Sequence, residues 1–203
     1  MDVAEALGVD ESMLWPKAMR AVVKTGPDRE VVSVYPYRSA CPTSVWAELA
    51  HSTERDMILA GYTNYFLWTS LPAFRATLRD RAAQGCRIRF LLGDPSGAVT
   101  RQREEVEDVP LTVSTRVRMT LAELEKLGAS SGVEARFSSG LDAAAHVGLS
   151  VFRFDDQMMV TPHLARLVGH DSPLLHLRRA QDDGVFDRFA QSTEELWERG
   201  LPV

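Results

Sequence analysis

From residue 31 onward, short apolar runs rich in β-branched and aromatic residues alternate with longer stretches whose apolar positions recur every three or four residues. That alternation is the mark of strands and helices taken in turn. Residues 30–37 (EVVSVYPY) read as a strand, and Pro36 puts its end at a sheet edge, because proline has no N–H to give to a ladder. Pro42, Thr43 and Ser44 open a helix that runs to about residue 52, with Val45, Trp46 and Leu49 on one face. Residues 57–60 (MILA) form a short buried strand closed by Gly61. Leu71, Phe74, Leu78 and Ala82 then fall on one helical face, and Gly85 stops that helix. Residues 86–92 (CRIRFLL) are the clearest strand of the chain, ended by Gly93, Asp94 and Pro95. The run from 56 to 92 thus has the size of a βαβ unit with parallel strands.

The second half continues in the same way. Polar helical stretches cover 96–107 and 111–127, the latter with Leu121, Leu124 and Leu127 as its core face. Residues 133–137 are a strand closed by Ser138, Ser139 and Gly140. Residues 147–154 and 157–161 are two strands around Asp155 and Asp156, a hairpin spacing. A further strand covers 174–178, and a last helix from about 185 to 199 buries Phe186, Phe189 and Leu196 or Trp197. The expectation is an α/β domain with a mixed, largely parallel sheet of six to seven strands and helices on both faces.

Residues 1–30 differ. Ala4, Leu7, Val9 and Leu14 suit a short helix, a stop at Gly8 and a second start capped by Asp10. Gly26, Pro27 and Asp28 are a turn or linker signature. This segment is too small to bury a core, so it packs on the main domain or on something N-terminal to it. The chain divides into 1–30, a tail and linker, and 31–203, the α/β domain.

Composition narrows the functional classes. The 203 residues suffice for one generous domain, and 45% apolar with 25% charged residues is ordinary globular composition. No apolar run approaches the ~20 residues that cross a bilayer, and the acidic, broken N-terminus is not a signal peptide. Cys41 and Cys86 make neither a disulfide framework nor a CxxC site, which fits a reduced cytoplasmic setting. A net charge of −5 argues against the chain wrapping nucleic acid through a broad basic face. Lysine occurs only at Lys17, Lys24 and Lys126; with the alanine richness, the dominance of arginine reads as genomic composition bias.

Two stretches resemble known families. The opening AEALGVDESMLWP resembles the tail of a phage-repressor-type helix-turn-helix domain, whose last helix commonly ends in a phrase of the form ALGVxxxxL. The segment WAELAHSTERDMILAGYTNYFLWTSLPAFRATLRDRAAQGCRIRFLLGDP is similar to the N-terminal half of phospholipase-D-like domains, and VGLSVFRFDDQMMVT looks like the segment that carries their HxKxxxxD motif. A domain of this kind joined to a repressor-type reader resembles a group of actinobacterial transcription regulators. In the active family the His attacks phosphorus, the Lys neutralises phosphate charge and the Asp supports the site. Matching VFRFDD to the usual strand end puts that Asp at Asp155, the Lys position at Ser150 and the His position at Gly148. Taking His146 as the nucleophile instead puts Gly148 and Arg153 in the other two places. Both registers lose the chemistry, so the resemblance implies a phospholipase-D-like fold that no longer catalyses.

Candidate chemistry outside that motif is sparse. The five histidines, His51, His146, His163, His170 and His176, match no metal-ligand spacing, and no metal or cofactor is expected. There is no GxSxG elbow, no GxGxxG after a strand and no Walker sequence. Gly93-Asp94-Pro95-Ser96-Gly97 lies between a strand and a helix, where amides at Asp94 and Ser96 could meet an anion or simply make a turn. The phrase from Gly61 to Trp68 puts aromatics and an Asn after a buried strand, which suits either a small-molecule pocket wall through Tyr62 and Asn64 or a core-covering loop. The paired arginines, Arg87/Arg89 among them, read as a solvated, salt-bridged surface, with Arg101, Arg103 or Arg116 as alternatives for gripping an anion.

The ligand-binding candidates are Tyr62, Asn64, Asp94, Ser96, Arg103, Arg116, His146 and His163; no residue is expected to be catalytic. The reading that follows from the resemblance is the effector-sensing and dimerising domain of a DNA-binding transcription regulator. It would be a homodimer, would meet DNA only through a helix-turn-helix reader absent from these residues, would bind a small anionic or nucleotide-like ligand, and would have no membrane partner. The alternatives are a divergent phosphodiesterase or nuclease using His146 or His163, and a protein-interaction module without a small-molecule site.

Overall fold

The computed structural model describes residues 29–108, 111–128, 132–164 and 167–203. Eight strands form one sheet: β1 (Val31–Tyr35), β2 (Asp56–Ala60), β3 (Arg87–Gly93), β4 (Val133–Ser138), β5 (Leu149–Phe154), β6 (Gln157–Pro162), β7 (Leu174–Arg178) and β8 (Leu201–Pro202). Their order across the sheet is β1-β7-β6-β5-β2-β3-β4-β8. The helices are α1 (Thr43–Ser52), α2 (Tyr65–Ser70), α3 (Phe74–Ala83), α4 (Ala98–Glu107), α5 (Thr112–Glu125), α6 (Gly140–Val147) and α7 (Val185–Glu198), with a 3-10 turn at Arg38–Ala40. None of them is long and apolar enough to cross a membrane. The helix-turn-helix tail read in residues 1–28 lies outside the described residues.

The mixed α/β class holds, with two differences from the expected sheet. Parallel pairing is confined to β2, β3 and β4; every other neighbour pair is antiparallel. The reason is connection length: two helices link β2 to β3 and two more link β3 to β4, whereas a two-residue turn links β5 to β6 and forces them to run oppositely. The count is eight because Leu201–Pro202, too short to show alternation, pairs with β4 at Arg136 and Phe137.

Strands β2 and β3 are buried almost throughout, β2 as a continuous apolar run and β3 as one interrupted by Arg89. On one face, Met57, Leu59, Ile88, Phe90, Phe152 and Phe154 pack against Trp46 and Leu49 of α1, Leu67 of α2, Phe74 and Leu78 of α3 and Val117 of α5. Trp46, Phe66 and Phe152 meet edge to face there, with ring centroids 5.1, 5.3 and 5.5 Å apart. On the other face, Val151, Met158, Val160 and Leu177 pack against Phe186 of α7, while Ile58, Ala60 and Leu91 cover Trp197.

That second face also holds charge, contrary to the solvated surface expected for Arg89. Arg89 is 1% exposed under α7, and its guanidinium donates to Glu194 at 2.6 and 2.8 Å and to Asp56 at 2.9 and 3.0 Å. Arg153 contacts the same two carboxylates. Buried charges persist in a fold only when paired in this way. Alternation does place Arg87 on the same side, but at the strand end, where it is exposed.

Two carboxylates clamp backbone. Asp155, at φ 53° in the β5–β6 turn, accepts the N–H groups of Glu54, Arg55 and Asp56 at 2.8–3.0 Å, which fixes the hairpin to the start of β2. Glu30, fully buried, accepts the N–H groups of Ala180 at 3.0 Å and Phe186 at 2.7 Å, satisfying donors at the start of α7.

Candidate functional site

A cleft of about 80 Å³ opens beyond the C-terminal ends of β2 and β6 and the start of β5. The loop after β2 gives it Gly61, Tyr62, Thr63 and Asn64, and α2 gives Phe66. Ser150 comes from β5 and His163 from the residue after β6. Arg103 and Glu107 sit one turn apart on α4, Arg116 on α5, and Arg38 in the 3-10 turn between β1 and α1.

Arg38 reaches the cleft because its backbone is held far from its sequence neighbours: its N–H donates to Ser172 O at 2.8 Å. Its guanidinium lies over the Phe66 ring, 4.0 Å from the centroid. Burial, and then the nearby Arg116 charge, lower its pKa to about 10. Glu107, on the opposite wall, accepts from Arg103 Nε at 2.9 Å and from Arg116 Nη2 at 3.1 Å. Arg103 also donates to Leu167 O at 2.7 Å.

Ser150 Oγ and His163 Nε2 are 2.8 Å apart. Burial, and then the Arg38 and Arg103 charges, push the His163 pKa down to about 4, so its ring is neutral at pH 7. Behind this pair lies a second one, Ser138 Oγ and His146 Nδ1 at 2.7 Å. His146 is 1% exposed, and burial above all lowers its pKa to about 4. The remaining ring nitrogens, His163 Nδ1 and His146 Nε2, are buried without a hydrogen-bond partner. Neither histidine therefore has the orienting carboxylate of a Ser-His-Asp arrangement.

Of the eight residues singled out from the sequence, the cleft brings together Tyr62, Asn64, Arg103, Arg116 and His163. Tyr62 is a buried wall whose hydroxyl pairs with Thr100 Oγ1 at 2.8 Å. Asn64, at φ 50°, donates its side-chain amide to Leu59 O at 2.7 Å and so secures the end of β2; its Oδ1 has no partner. His146 does not line the cleft but packs at a tilt against the Tyr62 ring, with centroids 5.4 Å apart. Asp94 and Ser96 do not line it either. Asp94 Oδ1 accepts the Ser96 N–H at 2.8 Å and Ser96 O accepts from Arg101 at 2.6 Å, the makings of a strand-to-helix turn. Sequence reasoning missed Arg38 and Glu107, and held Phe66 only as part of the aromatic phrase from Gly61 to Trp68. Only Glu107 had a local signal, its i,i+4 spacing from Arg103. Among the described residues, no three His, Cys, Asp or Glu side chains converge as a metal site would require.

No protein-family model matches the sequence, and no curated protein matches it. Solved structures do. TrmBL2, an archaeal chromatin protein described as binding DNA, superposes with a TM-score of 0.53 at 13% identity over 99% of this chain, which spans 65% of that protein's chain. Nuc, a phospholipase D family member from Salmonella typhimurium, matches 84% of this chain and 97% of its own at TM-score 0.50 and 12% identity. NucT from Helicobacter pylori matches 84% and 98% at TM-score 0.51 and 11% identity. At these identities the likeness speaks for architecture, and the architecture of residues 29–203 is the phospholipase D-like fold.

Proposed function

We propose that this chain is the effector-sensing and dimerising domain of a DNA-binding transcription regulator, built on a phospholipase D-like fold that binds at its cleft and does not catalyse. The observation that carries this reading is the Ser150–His163 pair. Ser150 occupies the strand position that the resemblance gives to the catalytic Lys, and Gly148 the position of the nucleophilic His. The nearest imidazole, His163, is a weak base bonded to a serine rather than a free nucleophile. The likeness to a DNA-binding chromatin protein supports the regulatory half of the reading, as does an opening sequence that resembles the end of a DNA reader. Fold alone does not fix function; the polar cleft is what favours a ligand-binding role over a plain interaction module.

Homodimerisation belongs to the same proposal, since one half-domain of this fold supplies one wall set and a two-fold partner supplies the other. The test is the solution mass of the chain together with a thermal-shift panel of nucleotides, phosphates and small metabolites on the same sample. A dimer whose midpoint rises with one ligand class supports the reading, because a ligand that binds only the folded state stabilises it by mass action. A ligand-insensitive monomer overturns it.

A further inference from the structure

Strand β1 forms one edge of the sheet. Its Val31 and Val34 stand opposite Leu177 and Leu175 of β7, and opposed residues of an antiparallel pair point to the same face. Leu175 and Leu177 pack in the cluster under α7, so both valines lie on the α7 side of the sheet. They share that face although three residues apart, because the ladder shifts between Val31 and Ser33. Neither valine joins the cluster: Val31 is 40% and Val34 61% exposed, and Val32 between them is 49% exposed. An uncovered apolar strip on an edge strand is a liability that folds ordinarily cover.

The chain enters the described residues beside this strip. Arg29 and Glu30 make a turn directly before β1. Glu30 is locked at the start of α7, its carboxylate accepting from Phe186 N–H and its C=O from Arg178 N–H at 2.8 Å. The preceding residues therefore leave next to the loop in which Asp182 and Asp183 are exposed. The sequence just upstream suits both neighbours. Pro16 fits a first helical turn, and Gly26 followed by Pro27 fits a helical stop. Between them Met19, Val22 and Val23 recur at i, i+3 and i+4, while Lys17, Arg20 and Lys24 recur at i, i+3 and i+7 along their flank. A helix over 16–25 would be about 15 Å long, and five-residue β1 spans about 17 Å. Residues 26–28 reach at most about 10 Å, which keeps such a helix beside the strand.

We propose that residues 16–25 of this chain dock as an amphipathic helix on the α7 side of β1. Met19, Val22 and Val23 cover Val31 and Val34, and the basic flank of Lys17, Arg20 and Lys24 faces Asp182 and Asp183. The apolar stripe supplies the contact, and the charges choose its orientation, because the opposite placement would turn the basic flank away from the acidic loop. A second copy of the chain could also cover the strip, but the tether of three residues holds the chain's own segment there at a far higher effective concentration. In a regulator, this helix would be the rigid joint between the effector domain and whatever precedes residue 16; the docking itself does not depend on that reading.

The test is amide hydrogen exchange of the full chain, read by mass spectrometry. An isolated ten-residue helix is marginal in water, so slow exchange in residues 16–25 requires that they be docked. The expected result is exchange there about tenfold or more slower than in the free peptide of the same sequence. Met19→Asp, which alters no residue of the sheet, should abolish that protection and speed exchange in residues 30–35 while leaving residues 86–93 as in the wild type. Val34→Asp should do the same from the other side of the contact, and Asp182→Lys should weaken the protection by repelling the basic flank. If Val34→Asp loosens residues 86–93 as well, Met19→Asp decides through the exchange of residues 30–35. Exchange in 16–25 at the free-peptide rate, protection that survives Met19→Asp or Val34→Asp, or protection untouched by Asp182→Lys would overturn the proposal. So would protection of residues 30–35 that grows with protein concentration and survives Met19→Asp, since a second copy then covers the strip. None of these outcomes bears on what the cleft binds, so the effector-sensing reading stands or falls separately.

Discussion

Ser150 Oγ lies 2.8 Å from His163 Nε2, so the strand position to which the resemblance assigns the catalytic lysine presents a hydroxyl bonded to a neutral imidazole. Positive charge reaches the cleft from elsewhere, through Arg38, Arg103 and Arg116. The positive charge of the cleft thus comes from the surrounding helices and turns and not from the sheet strands.

The two buried histidines make stability depend on pH. Both have folded pKa values of about 4 against 6.5 when free, with burial the main cause. Below pH 6.5 the unfolded chain takes up protons that the folded chain refuses, so stability is complete above that pH and falls progressively toward pH 4. Each group contributes on the order of 3 kcal/mol at most. Urea midpoints measured from pH 7.5 down to 4.5 should decline, and His146→Gln should decline less steeply. A flat wild-type profile would show that these rings are solvated.

Below pH 4 the carboxylates take over. Burial alone would raise the Asp155 pKa, but the N–H groups of Glu54, Asp56 and Arg55 outweigh it and hold the carboxyl below the usual range. Its contribution is present above the unfolded pKa and is lost as the pH drops through the folded one. Asp155→Ala removes the acceptor of three backbone donors and should cost about 2–3 kcal/mol at pH 7 by urea denaturation. A cost below the error of the measurement would mean that water replaces the carboxylate at no penalty.

Gly184→Ala should be among the most damaging single-methyl additions to the chain. A Cβ at Gly184 would stand 2.3 Å from Glu30 Oε2, and that carboxylate is fully buried and tied to the start of α7. The new methyl must displace either the helix or the carboxylate, at a cost of about 2–3 kcal/mol. Urea denaturation reads this directly; a loss under half that size would show that Glu30 has room to move.

Arg89→Ala should cost about 3–5 kcal/mol, since it leaves Asp56 and Glu194 facing each other with Arg153 alone between them. Arg89→Met should recover part of that loss by filling the volume under Trp197, which Arg89 contacts at 5.4 Å. If alanine and methionine are equally destabilising, packing plays no part and charge is the whole effect.

The strands most legible in the sequence were those buried on both faces. β2, β3 and β7 stand out as apolar runs, and the helix capped near Pro42 and the amphipathic helix ending before Gly85 follow from periodicity. α2 was not legible because its six residues, YFLWTS, have no polar face to set the period, and it starts from a left-handed Asn64. α6 was obscured because Leu141, its largest apolar residue, is 92% exposed while His146 turns inward. The cleft was half legible: Tyr62 and Asn64 follow a buried strand, where ligand sites of α/β sheets lie. Arg38 carried no signal, because a backbone hydrogen bond to Ser172, far along the chain, decides where it sits. Arg89 misled, since a charged residue alternating on a strand reads as solvent-facing until the helix that covers it is known.

The most direct test of the central claim, that this cleft binds without catalysing, is hydrolysis of bis(p-nitrophenyl) phosphate by the wild-type chain beside His146→Ala and His163→Ala. The account predicts release of p-nitrophenol at the buffer rate in all three, because the positions that the resemblance gives to nucleophile and cation hold Gly148 and Ser150 and both histidines are weak bases. A wild-type rate well above buffer that either substitution abolishes would contradict it and make the protein a divergent phosphodiesterase.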